Sequence, residues 1–500
     1  MRPVLTASQM RRAEKALFDT GVSSYSLMEK AGHALAQQVL NLLQPGETAV
    51  FACGSGGNGG DGYAAARFLS HMGVRAVALS VYPPSSADCL KNHDLAKSAV
   101  FSVCGISALD SLPRPGLWVD CVFGIGLNRA PDENALNVFR RMNADREKGS
   151  RVLCCDIPSA LNADTGDYYP DCPRADVTLT FQFRKAGQLL GRGRDVCGQL
   201  EVADIGIPDI YAPADCALLT EDSDVKAALP RRLPAAHKND FGHLLIFAGS
   251  KGLAGAASMC AMSASGSGAG LVTVACAESC LNIIQTLAPT AMCLPLPETD
   301  GMISDSACEK LSGALTGKTA FAAGPGLGRG ASKQCLRLLL ESGLNGVLDA
   351  DALNIISADN ELKALLRERH AVTPHPGEAG RLAGQTGLSQ TEYAIIINRL
   401  GCAALVKGAG SVIKGKGLHI VSGGVSGMAK GGSGDVLTGI VGALLAQGLD
   451  PETALWAGAH IHATAGRFAS DELGDTSMIP TDIIARLPNA FKHVYAEGIV

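Results

Sequence analysis

The chain has 500 residues, enough for two or three domains that each bury a core. Hydrophobic residues make up 47 % and charged residues 18 %, which excludes a disordered or highly charged scaffold. A net charge of −5 without a long basic run argues against a nucleic-acid partner.

In chain order, Thr6 and Gln9 have the spacing of a capping box, and predict a helix running to residue 20. A second helix is expected over 26–43. Strand patterns follow at 48–53, 75–81, 118–121, 151–155, 177–181 and 199–203. A glycine loop over 54–60 and a helix over 61–71 sit inside this series. Such alternation predicts a mostly parallel sheet with helices on both faces. Between 208 and 236 the pattern weakens into prolines and charges without a period. Residues 213–235 are therefore read as a linker between domains 1–212 and 236–500. A second alternating series starts at 243–248. No close internal repeat relates the halves, so two different α/β domains are expected.

The sixteen cysteines include no Cys-x-x-Cys pair, and no histidines join them at zinc spacing. The first residues lack the apolar run of a signal peptide, so a reducing cytoplasm is expected. Residues 252–277 carry no charge but are rich in Gly, Ala and Ser. A spanning helix needs about 20 strongly apolar residues. This run is read as a buried helix followed by a strand, with no membrane partner.

In the second half, Gly431, Gly432 and Gly434 immediately precede a long apolar helix that starts near Asp435. A glycine turn at a helix N-terminus leaves backbone N–H groups free for an anion. A carboxylate in the first turn can take a proton from a hydroxyl. Alone, the motif fits a simple helix cap equally well. Other segments end predicted strands in the same way: FAGSKGLAGAA over 247–257, AGPGLG over 323–328, LDADAL over 348–353, VTPHPGE over 372–378 and LVKGAGSVI over 405–413. Asp349, Asp351, His375 and Glu378 would then gather at the carboxyl edge of a sheet, where ligands of open α/β folds bind.

These segments, in this order, resemble the ribokinase-like dehydratase domain that repairs hydrated NADH and NADPH. The resemblance implies that a nucleoside phosphate, ADP with Mg²⁺, phosphorylates the ring hydroxyl and that loss of phosphate restores the cofactor. It implies Asp435 as the base, and Lys407, Gly408, Ala409, Gly410, Ser411 and Gly434 as nucleotide contacts. Ala256, Gly326, His375 and Asp435 are the implied contacts to the hydrated dinucleotide.

In the first half, CGSGGNGGDG over 53–62 follows a strand and precedes a helix. No acidic strand end follows about 20 residues on, as a dinucleotide fingerprint requires. Asp120 and Asp156 fall at adjacent strand ends, and Asn58 and Ser159 could join Asp120 around a hard cation. On pattern alone the aspartates could equally cap helices. VDCVFGIGL and LCCDIPSALNADTG complete a set that resembles the NAD(P)H-hydrate epimerase domain. That resemblance implies proton chemistry at Asp156 and K⁺ on Asn58, Asp120 and Ser159. The implied substrate contacts are Gly57, Asn58, Gly59, Gly60, Asp61, Gly124, Ile125, Gly126, Leu127, Asn128, Arg129, Ala130 and Asp156. The chain departs from the family pattern at Gly57, usually asparagine, and at Ala160, usually glycine.

The two resemblances together imply one repair task, with a Rossmann-like epimerase domain and a ribokinase-like dehydratase domain in a homo-oligomeric cytoplasmic enzyme. A small-molecule kinase with a non-catalytic N-terminal domain shares the second fold, and fold alone does not separate them.

Overall fold

A computed structural model describes residues 1–99, 103–127 and 129–496. Two compact units emerge, one over residues 3–217 and one over 218–500 with residues 1 and 2.

The first unit is built on seven parallel strands. In spatial order they are Val103–Gly105, Ala76–Ser80, Ala49–Cys53, Leu117–Cys121, Arg151–Cys155, Val177–Phe181 and Gln199–Ala203. The strands Ala49–Cys53 and Leu117–Cys121 are buried throughout, as expected where helices cover both faces. One face packs Met10, Leu35 and Tyr63 from three helices. The other packs Phe139 and Met142 against Trp118, whose indole N–H donates to the Asp145 carboxylate at 3.0 Å. The chain leaves Ala49–Cys53 toward one neighbour and returns on the other side. That reversal opens a crevice at the carboxyl ends of the central strands.

The capping box forms as expected: Thr6 Oγ1 accepts the Gln9 amide at 3.2 Å, and the Gln9 side chain accepts the Thr6 amide at 2.9 Å. The helix is Ala7–Phe18 and stops short of residue 20. The helix that follows the strand Ala49–Cys53 needs a larger correction. It runs Gly57–His71, so Asn58, Gly59 and Gly60 lie in its first turn and not in a loop. Glycine's low helix propensity suggested a loop, but close approach explains it. A Cβ on Gly59 would stand 2.0 Å from the Gly54 carbonyl oxygen.

The second unit has a longer sheet. Its order is Met292–Leu296, Leu271–Ala277, His243–Phe247, Ala320–Ala323, Asn345–Leu348, His370–Val372, Ala403–Val406, Ser411–Lys414, Leu418–Val421 and Ala217–Leu219. Pairing is parallel as far as Ala403–Val406 and antiparallel through the two following strands. Here too the strand order reverses, around His243–Phe247. The uncharged run folds as the helix Ala254–Gly266 and the strand Leu271–Ala277. No described helix is long and apolar enough to cross a membrane.

Within 213–235, read as a linker, stand the strand Ala217–Leu219 and the helix Asp222–Ala228. Leu218 and Leu219 pair with His419 and Ile420, and Asp222 bonds His460 Nε2 at 2.7 Å. All sixteen cysteines are free.

Candidate active sites of the two units

In the second unit the glycine turn leads into the helix Ser433–Ala446, with Asp435 in its first turn. Gly432 takes φ +103, a backbone region that side chains disfavour. A Cβ there would also meet Met259 Cε at 2.7 Å. The Lys407 ammonium donates to Asp349 Oδ1 at 2.7 Å, and the Thr438 hydroxyl donates to Asp349 Oδ2 at 2.7 Å. Buried Asp349 thus ties the strand end at Leu348 to the lysine and to the helix that carries Asp435. A Cβ on Gly434 would lie 3.2 Å from Lys407 Nζ, so a missing side chain lets the ammonium reach the helix start.

The Asp435 carboxyl accepts no hydrogen bond among the described residues. Burial, reinforced by the charge of Asp349, pushes it up to about 7. Burial and Asp349 also raise the Glu378 carboxyl. A base tuned close to neutrality, beside a helix N-terminus and a lysine, suits proton removal from a hydroxyl during transfer of an anionic group.

His375 caps the helix Pro376–Ala383: its Nδ1 accepts the Gly377 amide at 3.1 Å while the ring stays half exposed. Gly326, at φ +57, faces Ala256, whose Cβ would be 3.1 Å from a Cβ added to Gly326. Ala256 is partly exposed there, whereas Ala254 is buried. Gly408, Ala409 and Gly410 span the turn between the strands Ala403–Val406 and Ser411–Lys414. Gln390 braces that turn by donating to the carbonyls of Val406 and Gly410 at 3.1 and 2.9 Å. His462 is buried behind the glycine turn and hydrogen-bonded to the Ser433 backbone. Burial and the charge of Lys407 hold its imidazole down at about 4, so it is neutral.

In the first unit, Asp120 and Ser159 lock together: the Ser159 amide and hydroxyl donate to the Asp120 carboxylate at 2.7 and 2.6 Å. Ser159 Oγ accepts the Phe123 amide at 2.8 Å. The Asn58 amide donates to the Phe123 and Cys155 carbonyls at 3.0 Å each. Asn58, Asp120 and Ser159 therefore converge on one spot. Burial pushes the Asp120 carboxyl up, against the Ser159 hydrogen bonds. No lysine or arginine pairs with it among the described residues.

Asp156 stands just beyond the strand Arg151–Cys155 at φ +63. Its Oδ1 accepts the Phe181 amide and the Thr180 hydroxyl at 3.1 Å each, and contacts Lys185 Nζ. Burial raises the Asp61 carboxyl well above its usual range, with help from Asp156 and Glu14. Gly124 faces Asn58: a Cβ on Gly124 would stand 3.3 Å from Asn58 Oδ1. The Ile125 carbonyl faces Arg11, and Gly126, Arg129 and Ala130 are exposed. Leu127 ends the described part of this loop, and Asn128 lies outside the described residues.

Lys185, Thr180, Gln188, Thr438 and Gln390 are absent from the sequence-based site. Each acts across the fold on a residue distant in sequence. For Lys185 the sequence offers only the basic pair Arg184 and Lys185 after the strand Val177–Phe181, a pattern that reads as surface.

Residues 244–489 match the family model described as NAD(P)H-hydrate dehydratase, and residues 24–187 match the YjeF-related protein N-terminus. The bifunctional NAD(P)H-hydrate repair enzyme Nnr of Coxiella burnetii is 33% identical, with 96% of this chain and 97% of that protein covered. The enzyme of the same name from Escherichia coli is 32% identical, covering 96% and 92%. A solved Bacillus subtilis ADP/ATP-dependent NAD(P)H-hydrate dehydratase, co-crystallized with ATP/Mg²⁺, is 26% identical with a TM-score of 0.48. It covers 56% of this chain and 99% of that one. Matched across nearly its whole length, the chain belongs to the family of bifunctional NAD(P)H-hydrate repair enzymes.

Proposed function

We propose that the second unit dehydrates the S form of NADH hydrate and NADPH hydrate at the expense of ADP, and that the first unit interconverts the R and S forms. The observation that carries the dehydratase reading is Asp435, a buried carboxylate raised to about 7 at the head of a helix and next to the Lys407–Asp349 pair. Hydroxide is a poor leaving group and phosphate a good one. Asp435 takes the proton from the ring hydroxyl as its oxygen attacks the terminal phosphorus of the donor. The backbone amides of the glycine turn and Lys407 steady the charge in flight. AMP leaves as the P–O bond to the ring oxygen forms; phosphate then departs with its C–O electron pair and the adjacent ring carbon gives up a proton, which restores the double bond of the dihydronicotinamide ring.

The Lys407–Ser411 turn and Gly434 serve the nucleotide; Ala256, Gly326 and His375 serve the hydrated dinucleotide. Mg²⁺ would arrive with the nucleotide, and Glu378 is a carboxylate able to hold it at this edge. The metal neutralises phosphate charge.

In the first unit, Asp156 moves the proton during epimerisation, and Gly57–Asp61 with Gly124–Ala130 hold the substrate. The Asn58, Asp120 and Ser159 oxygens fit K⁺, because buried Asp120 has no cationic side chain beside it among the described residues. A bound cation would supply that missing charge. Ile283, Leu287 and Met292, exposed on the second unit, support self-association. The free cysteines support a reducing cytoplasm.

The test is to incubate the protein with separated R and S hydrates, Mg²⁺ and either ADP or ATP, in K⁺ or Na⁺ buffer. Each epimer and the NADH absorbance are followed. Restored NADH, use of ADP and K⁺-dependent R-to-S exchange are expected. A stable phosphorylated product without NADH would sink the dehydratase reading.

A further inference from the structure

Lys185 is fully buried. An ammonium taken out of water is costly unless it is paired and hydrogen-bonded. Its Nζ contacts Asp156 Oδ1 and donates to Thr180 Oγ1 at 2.9 Å and to the Phe181 carbonyl at 3.2 Å. The same residue is fixed at its backbone, where the Lys185 amide donates to Gln188 Oε1 at 2.7 Å. Gln188 Nε2 in turn donates to the Asp156 carbonyl at 2.7 Å. The short segment 184–189 therefore grips Asp156 at both its main chain and its side chain.

That grip acts on a residue in an unfavourable conformation. At φ +63 an aspartate is strained and persists only where its surroundings over-determine it. All three donors to its carboxylate, the Thr180 hydroxyl, the Phe181 backbone amide and the Lys185 ammonium, meet Oδ1. Oδ2 receives no hydrogen bond from the described residues, so one carboxylate oxygen is immobilised and the other is left for substrate. The remaining charged groups around Asp156 are mostly of its own sign. Glu14 from the helix Ala7–Phe18 and Asp61 from the helix Gly57–His71 are both raised by burial and by Asp156, with Arg11 beside Glu14.

We infer that Lys185 is the positioning residue of the first unit: its buried ammonium orients Asp156 through Oδ1 and presents Oδ2 to the hydrated ring. This rests on the epimerase reading of that unit. Lys185 touches Asp156 and not the reacting atoms, so its effect belongs in turnover and not in affinity.

The experiment measures R-to-S exchange by the full chain, with dehydration of the S form assayed in the same preparation. In Lys185→Met, kcat for exchange is expected to fall about 100-fold, the scale of a mispositioned base, with KM within about threefold. In Lys185→Ala, methylammonium is expected to restore exchange in proportion to its concentration. Tetramethylammonium, a cation without N–H donors, is expected not to. A Lys185→Met kcat within about threefold of the parent overturns the inference, as does a Lys185→Ala variant that methylammonium leaves unchanged. If these variants fail to fold, Thr180→Val carries the test. It removes one donor to Oδ1 and one acceptor from the Lys185 ammonium, and is expected to lower kcat about fivefold in a chain that still folds, with a melting temperature lower by a few degrees. An unchanged kcat in Thr180→Val then overturns the inference. If the parent shows no exchange at all, it is the epimerase reading that fails.

Discussion

Asp156 and Asp435 occupy comparable places, each just past a glycine-rich or strained turn at the carboxyl side of a parallel sheet, yet they are held in opposite ways. Asp156 has an ammonium, a hydroxyl and an amide on one oxygen. Asp435 has no hydrogen bond among the described residues, and burial beside Asp349 raises it to about 7. The difference teaches that a parallel sheet fixes where chemistry sits, while the local partners decide which proton state is available. Paired Asp156 is built for placement. Solitary Asp435 is built for proton affinity.

The sharpest way to break that comparison is to remove each carboxylate in turn. Asp435→Ala is expected to bind nucleotide but lose about 10²–10⁴-fold in dehydration turnover. Asp156→Asn is expected to abolish R-to-S exchange while dehydration of the S form continues. Rates measured on separated epimers check both, and equal loss of both activities in either variant would show that the two sites are not independent.

The proton affinity of Asp435 makes the next contrast. The base works as a carboxylate, so dehydration should decline as pH drops through about 7 and not near the ordinary carboxylate range. Removing the neighbouring negative charge in Asp349→Asn favours the ionised form of Asp435. The acid limb of the kcat profile should therefore move to lower pH, with a lower plateau because Lys407 loses its anchor. An acid limb that stays in place would count against Asp349 as a cause.

Two smaller effects sharpen the account of the first unit. A Cβ at Gly57 meets nothing within 4 Å, so Gly57→Asn fits and supplies the amide usual in the family. One added hydrogen bond should lower the KM for exchange by about 2–10-fold. Ala160 stands at φ +76, where a side chain costs about 1–2 kcal/mol. Glycine relieves that strain but adds freedom to the unfolded chain. Ala160→Gly should therefore stabilise by only about 0.5 kcal/mol net, read as a rise of about 1–2 °C in the melting temperature.

Much of this arrangement was legible in the sequence because it is local. The Thr6 and Gln9 spacing is a local hydrogen-bonding pattern, and it forms as expected. The glycine turn before Asp435 announces a helix start, and the segments at 323–328, 348–353 and 372–378 each announce a strand end. What escaped was long-range. Lys185 meets Asp156 across 29 residues, and Thr438 meets Asp349 across 89. No periodicity links such partners, and a lysine in sequence reads as a surface residue. The early start of the helix Gly57–His71 escaped for a related reason: Gly59 is required by contact with Gly54, which only the folded chain brings close.

Gly432 has a consequence for how the molecule can change over generations. Its φ of +103 strains any residue that carries a Cβ, and Met259 and Pro480 would have to shift to make room for one. Any single-base change that replaces this glycine therefore strains the turn that leads to Asp435. Each such step starts with a strained backbone, so this position tolerates less variation than an exposed glycine with open space around it.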